Sequence, residues 1–178
     1  MKVWCNMRIL QLIDEDITNY KKISMFIGTI MCDGKCWKEQ NLPRETCQNS
    51  CMYNNPNVKD INDDILCKRY IENPLTEAIV FGGLEPMLQI DELKKFIHTL
   101  RYKYKCNDDI VIYTGYTEEE CIENNYFNKL SEYDNIIYKV GRYRPDLPSH
   151  YDSVLGVKLI SSNQYGLQQI CIRKENAS

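Results

Sequence analysis

Histidine is nearly absent. The two present, His98 and His150, are too few and too far apart for a histidine-rich metal site. No window approaches the run of about 18 apolar residues that a membrane-spanning helix needs. An excess of positive charge is lacking too: a net charge of -3 and a pI near 5.5 argue against non-specific binding to DNA or RNA. The opening segment, Met1-Lys-Val-Trp-Cys-Asn-Met-Arg-Ile-Leu10, has neither the apolar core nor the small-residue cleavage site of an export signal. There is no repeat, no low-complexity stretch and no linker rich in Gly or Ser. These absences leave the expectation of one cytoplasmic domain over residues 1–178, with neither membrane nor nucleic acid as partner.

What the chain does have is cysteine. Nine are present, an odd number, in a sequence without an export signal, so a secreted disulfide framework is a poor account of them. Four fall within twenty residues, as Cys32-x3-Cys36-x10-Cys47-x3-Cys51, directly after the apolar run Ser24-Met-Phe-Ile-Gly-Thr-Ile30. A rigid strand ending in a cysteine-rich loop is a good place to hold a metal, because the scaffold fixes where the thiolates converge. Thiolates are soft ligands, which narrows the choice to zinc or an iron–sulfur cluster. All four could close a tetrahedral zinc site; three suffice for a cluster, and Cys51 is then spare. On spacing alone the two readings stand level. The other five, Cys5, Cys67, Cys106, Cys121 and Cys171, are scattered and read as small buried hydrophobes.

Strand and helix patterns alternate along the chain. Ser24–Ile30, Ala78–Phe81, Ile110–Thr114, Ile136–Val140 and Gly156–Ile160 read as buried strands. Asp60–Glu72 and Asp91–Tyr104 repeat apolar residues at helical spacing, and Thr117 with Glu120 forms a capping-box pair. Residues 31–60, with Pro43, Asn54, Asn55 and Pro56, suit an irregular loop around the cysteines. The expected class is α/β with a mostly parallel sheet.

Three further segments could carry chemistry. Phe81-Gly82-Gly83-Leu84-Glu85-Pro86 ends the second strand; a Gly-Gly there serves as an ordinary turn, or it lets backbone approach a ligand while Glu85 meets an ammonium group. Thr114-Gly115-Tyr116 ends the third strand, and Ser161-Ser162-Asn163-Gln164 follows the last. In parallel α/β folds the ligand crevice lies at the carboxyl ends of the strands, which puts these segments and Cys32 on one rim.

Taken in order, these four segments resemble the radical S-adenosylmethionine superfamily, and within it the small anaerobic ribonucleotide reductase activating proteins. Ser24–Cys32 looks like the strand leading to the cluster cysteines, and Gly82-Gly83-Leu84-Glu85-Pro86 like the glycine-rich motif for the methionine end of S-adenosylmethionine, with Leu84 as an extra residue. Ile112-Tyr-Thr-Gly-Tyr116 and Ser161-Ser-Asn-Gln164 are similar to activating-protein tracts. Two positions depart from the pattern. The family's Cys-x3-Cys-x2-Cys has Glu39 where the third cysteine belongs, and Val140 stands where an acidic residue usually precedes Gly-Arg.

The resemblance implies a partial (βα) barrel and a [4Fe–4S] cluster on Cys32, Cys36 and Cys47, with Cys51 as substitute or as the fourth ligand of the zinc alternative. It implies that S-adenosylmethionine binds the open iron, held by Gly82, Gly83 and Glu85, with Tyr116 and Asn163 as further contacts. One-electron reductive cleavage would then give methionine and a 5′-deoxyadenosyl radical. The implied partners are a flavodoxin- or ferredoxin-type electron donor and a glycyl-radical enzyme, such as an anaerobic ribonucleotide reductase, as substrate. No catalytic residue beyond the cluster and cofactor ligands is implied. A non-catalytic four-cysteine zinc interaction module and an iron–sulfur electron-transfer protein are the alternatives.

Overall fold

Four short apolar runs rich in Ile and Val set the centre of the molecule. In the computed structural model, which describes residues 6–169, they pair side by side as parallel strands: β2 (Ser24–Thr29), β4 (Ala78–Gly83), β5 (Asp109–Tyr113) and β6 (Ile136–Val140). Successive side chains leave a strand on opposite faces. Met25, Ile27, Ile79, Phe81, Ile110, Ile112, Ile136 and Tyr138 therefore pack on one face, against Leu66 and Tyr70 of α2 (Asp63–Ile71) and Leu93, Phe96 and Ile97 of α3 (Ile90–His98). Phe26, Val80, Val111 and Ile137 point the other way, onto Tyr20, Leu155 and Leu159. Both faces are covered, as parallel strands require.

Three further strands make the sheet mixed. β1 (Met7–Asp16) runs antiparallel to β2, β3 (Lys59–Ile61) antiparallel to β1, and β9 (Tyr165–Gln168) antiparallel to β6, giving the order β3-β1-β2-β4-β5-β6-β9. The parallel core matches the sequence expectation; the antiparallel flanks on both sides were not foreseen, and the pairing establishes a mixed seven-stranded sheet without establishing a barrel. β1 escaped notice because its exposure alternates, buried and open, so it has no continuous apolar run.

Three expected elements are corrected. Gly156–Ile160 does not join the main sheet: its core, β8 (Val157–Leu159), forms a separate hairpin with β7 (His150–Asp152), laid over the face opposite the helices. The helix expected from Asp60 begins at Asp63, because Asn62 caps it by accepting from the Asp64 N–H at 2.8 Å and residues 59–61 are taken by β3. The helix expected over Asp91–Tyr104 gives way after His98 to a widened π turn, Thr99–Lys103, which carries Arg101 inward to donate to the carbonyls of Cys106, Asp108 and Asp134. The Thr117–Glu120 capping box opens α4 (Glu118–Glu123) as expected, and α5 (Tyr126–Leu130) follows. No described helix is long and apolar enough to cross a membrane.

Candidate metal centre

The carboxyl ends of β2, β4, β5 and β6 open on one cleft of about 270 Å³. Cys32, Cys36 and Cys47 line it, together with Gly83, Leu84, Glu85, Thr114, Gly115 and Lys139. Three of the four segments singled out in the sequence thus meet there, and the fourth contributes Gln164. The contact is close. A Cβ placed on Gly115 would stand 3.1 Å from the Cys36 sulfur and 3.5 Å from Oε2 of Glu85, so a larger residue there would crowd that junction. Gly83 has φ +83°, and a Cβ there would meet the backbone of Gly28 and Thr29 at 3.0 Å; the left-handed turn and the close strand approach both demand glycine.

Glu85 is held rigidly. Its Oε1 accepts from the Met87 N–H at 3.1 Å and its Oε2 from the Gly115 N–H at 2.8 Å. Burial raises its pKa to about 7 against the pull of those amides. Lys139, which the sequence reading passed over, points into the same cleft from β6, and its Nζ donates to the Gly141 carbonyl at 3.1 Å. Burial lowers its pKa to about 8, opposed by the charges of Cys36 and Glu85. Its alternation with Tyr138 along β6 was the signal available: residue 139 falls on the face opposite the helices.

Of the two candidates for a third ligand, Cys47 lines the cleft, whereas Cys51 is exposed and does not. Glu39, at the position of the missing cysteine, turns outward to accept from Nη2 of Arg142 at 2.9 Å. Burial raises the pKa of both Cys32 and Cys36, so ligation has to displace protons. Outside the cluster loop, Cys67 and Cys121 are fully buried in the core and Cys106 is partly buried, while Cys5 and Cys171 lie outside the described residues.

Tyr116 and Asn163 sit beside the cleft and are not among its lining residues. The Tyr116 ring is buried in the helix-side core, stacked on Tyr126, and its hydroxyl donates to Asp33 at 2.7 Å. The Asn163 side chain donates to the Arg142 carbonyl at 2.9 Å. Both secure the surroundings of the cysteines. Around α1 (Lys35–Lys38), the turn that carries Cys36, the same task falls to an ion cluster. Arg142 grips Glu120 with two bonds of 2.6 and 2.7 Å, and Lys35 reaches the same carboxylate at 2.9 Å.

Arg142 and Lys35 hold the Glu120 carboxyl down at about 2, against the effect of burial. A depressed folded-state pKa adds stability above the ordinary carboxylate range, lost as pH falls from about 4.5 towards 2. Glu120→Gln is expected to melt about 2–4 °C lower than wild type at pH 6, an effect of ~1 kcal/mol, with the gap closing as the pH drops to 2. Parallel melts by circular dichroism would read it; a gap constant with pH would rule the ion cluster out as its source.

The donors fit an iron–sulfur cluster better than one ion. A zinc ion needs every sulfur about 2.3 Å from a single point, yet among the described residues no three Cys, His, Asp or Glu side chains converge in that way. A cluster presents separate irons to separate thiolates, which suits three cysteines spaced around one cleft. The sequence comparison decides in the same direction: a family model described as a 4Fe-4S single cluster domain matches residues 21–164. The chain belongs to that family. No curated protein and no solved structure matches it. The match begins just before β2 and ends at Gln164, so the 4Fe-4S single cluster domain takes in the cysteine loop and most of the cleft lining, but not β1, β9 or the cleft residues Thr18 and Asn19.

Proposed function

We propose that this 4Fe-4S protein is a radical S-adenosylmethionine enzyme, with Cys32, Cys36 and Cys47 as cluster ligands. The observation that carries the reading is the junction at Gly115, where a cluster cysteine and a buried, backbone-anchored carboxylate, Glu85, face the same small space. Domains of this family occur in radical S-adenosylmethionine-related proteins, which supports it. Cys32, Cys36 and Cys47 would hold the cluster, which would supply the single electron for reductive cleavage of a carbon–sulfur bond in S-adenosylmethionine, the products being methionine and a 5′-deoxyadenosyl radical.

The chain's own residues position the reactants. Glu85 accepts from the methionine ammonium, and the bare backbone of Gly82 and Gly83 lets that end of the ligand lie against the sheet. Lys139 supplies the only cationic side chain among the cleft residues on the parallel strands, and we assign it to the ligand's carboxylate end. Leu84 and Phe26 keep the reacting end dry. A cleft open at the strand ends suits a macromolecular substrate, and the glycine loop of a glycyl-radical enzyme, such as anaerobic ribonucleotide reductase, is our reading of it. The electron would come from a flavodoxin- or ferredoxin-type donor.

The test is anaerobic reconstitution with iron and sulfide, followed by EPR of the dithionite-reduced protein with and without S-adenosylmethionine. A [4Fe–4S]+ signal that changes on adding the ligand is expected, because a three-cysteine cluster keeps one iron open. A signal indifferent to the ligand would overturn the proposal in favour of an electron-transfer or structural cluster.

A further inference from the structure

Four consecutive residues, Val157, Lys158, Leu159 and Ile160, line the cleft that the cysteines share. A strand that turned one face to the cleft would contribute every second residue. Four in succession place the backbone edge of β8 along it. β8 pairs with β7 on its other edge, in a sheet of two strands. In such a ladder alternate residues direct their N–H and C=O away from the partner strand. Among the described residues, no backbone group outside the hairpin bonds to the main chain of residues 157–160.

The edge is held firmly. The Leu155 carbonyl accepts from the Lys21 N–H at 2.9 Å, and the Asp152 carboxylate accepts from the Leu155 and Gly166 N–H groups, each at 2.8 Å. Leu155 and Leu159 are buried against the main sheet. The His150 ring donates to the Gln164 carbonyl at 2.6 Å, which ties the hairpin to a further cleft residue. Gln164 adds a second signal. It is only 3% exposed, its Nε2 donates to the Gly141 carbonyl at 3.3 Å, and its Oε1 is enclosed with no partner. An enclosed acceptor left unpaired is costly, and an N–H brought into the cleft would satisfy it.

We propose that β8 and Gln164 form a backbone-recognition wall: an extended segment of a partner polypeptide enters the cleft, pairs with the free edge of β8 as a third strand, and donates a main-chain N–H to Gln164 Oε1. The proposal deepens the function proposed above, on which the partner's role as substrate rests. A polypeptide is the occupant because its backbone carries donors and acceptors at the repeat of a strand edge. S-adenosylmethionine has no such series, and a net charge of -3 disfavours nucleic acid. An edge open to solvent invites any chain, whereas one that borders a cleft admits only a chain threaded into it. Pairing of this kind would fix an extended segment in the cleft that Cys36 and Glu85 also line.

The experiment pans a phage-displayed library of random peptides on the reconstituted full-length protein without oxygen, then maps the tightest binder by hydrogen exchange and by N-methyl scanning. Amides of residues 157–160 are expected to exchange about tenfold more slowly with the peptide bound. N-methylation at alternate peptide positions is expected to weaken binding about tenfold, and at the intervening positions to leave it within about twofold. Gln164→Met is expected to bind the same peptide about three- to tenfold more weakly at unchanged iron content. Should that variant misfold, the N-methyl scan on wild type decides. Failure to select a binder, a scan without a period of two, or protection confined to the edge strands β3 or β9 would overturn the proposal. Protection of residues 157–160 by S-adenosylmethionine alone would overturn it too, by assigning the edge to the cofactor. Release of 5′-deoxyadenosine without peptide tests the radical reading separately. A bound peptide without that release keeps the wall and removes the radical chemistry; release with no peptide bound does the reverse.

Discussion

Alanine at Cys32, Cys36 or Cys47 is expected to reduce bound iron and inorganic sulfide to near zero after reconstitution, while Cys51→Ala retains wild-type amounts. The asymmetry follows from position. The first three side chains line one cleft at the carboxyl ends of the parallel strands; Cys51 is exposed on the far side of a short turn, Ser50–Met52, whose buried residue is Met52. A cluster with two thiolates left lacks an anchor for a third iron and is lost to solvent, so the effect is close to all-or-none. Metal analysis by emission spectroscopy, with the visible absorbance of each variant, reads it directly. If Cys51→Ala loses the cluster and Cys47→Ala keeps it, the third ligand has been misassigned. If all four variants lose a single tightly held zinc, the iron–sulfur reading itself falls.

The case for Cys47 also depends on what became of position 39. A spacing argument can note that Glu39 replaces a cysteine, but it cannot say whether the carboxylate takes over as ligand. Glu39 instead reaches outward to Arg142, which the sequence places more than one hundred positions away. Arg142 in turn holds Glu120, which holds Lys35, so the position where the resemblance would put a third cysteine is tied instead into an ion network around α1. The replacement at Val140 has a comparable logic. Val140 is fully buried in the helix-side core, where an acidic side chain would lack a partner. The charge facing the cleft at this strand end belongs to the neighbouring Lys139.

Legibility in the sequence tracked the range of the interactions. The parallel strands were readable because each is a short run buried on both faces, and the rim they share follows from their direction. The α4 capping box was readable because all its contacts lie within four residues. β1 and β9 were not, since one alternates in exposure and the other is only four residues long and half-buried. The parting of Cys47 from Cys51 was hidden for another reason: both lie in a loop without periodicity, and only the path of the loop, tied to Gly83 by the Asn49 side chain at 2.5 Å, turns one inward and leaves the other out. Lys139 carried no motif at all. It reaches the cleft only because the fold returns β6 there.

Glu85→Gln is expected to lower reductive cleavage of S-adenosylmethionine by a factor of about 10² or more while leaving the iron content unchanged. Glu85 is one of the few side chains in the cleft that is almost completely buried, and its carboxylate is aimed by two backbone amides. A buried ammonium that loses its carboxylate partner costs ~3–5 kcal/mol, which sets the scale of the effect. Glutamine makes matters worse, because its amide NH2 has to face either the Gly115 or the Met87 N–H, donor against donor. The iron should be unaffected, since in the proposed arrangement Glu85 meets the ligand and not the thiolates. Product analysis for 5′-deoxyadenosine, run beside the iron assay, separates the two readouts. In the reduced variant, added S-adenosylmethionine should also leave the EPR signal unshifted at concentrations that saturate the wild type. Cleavage at the wild-type rate would show that the ammonium is held elsewhere, and the junction at Gly115 would then lose its role as the cofactor's binding corner.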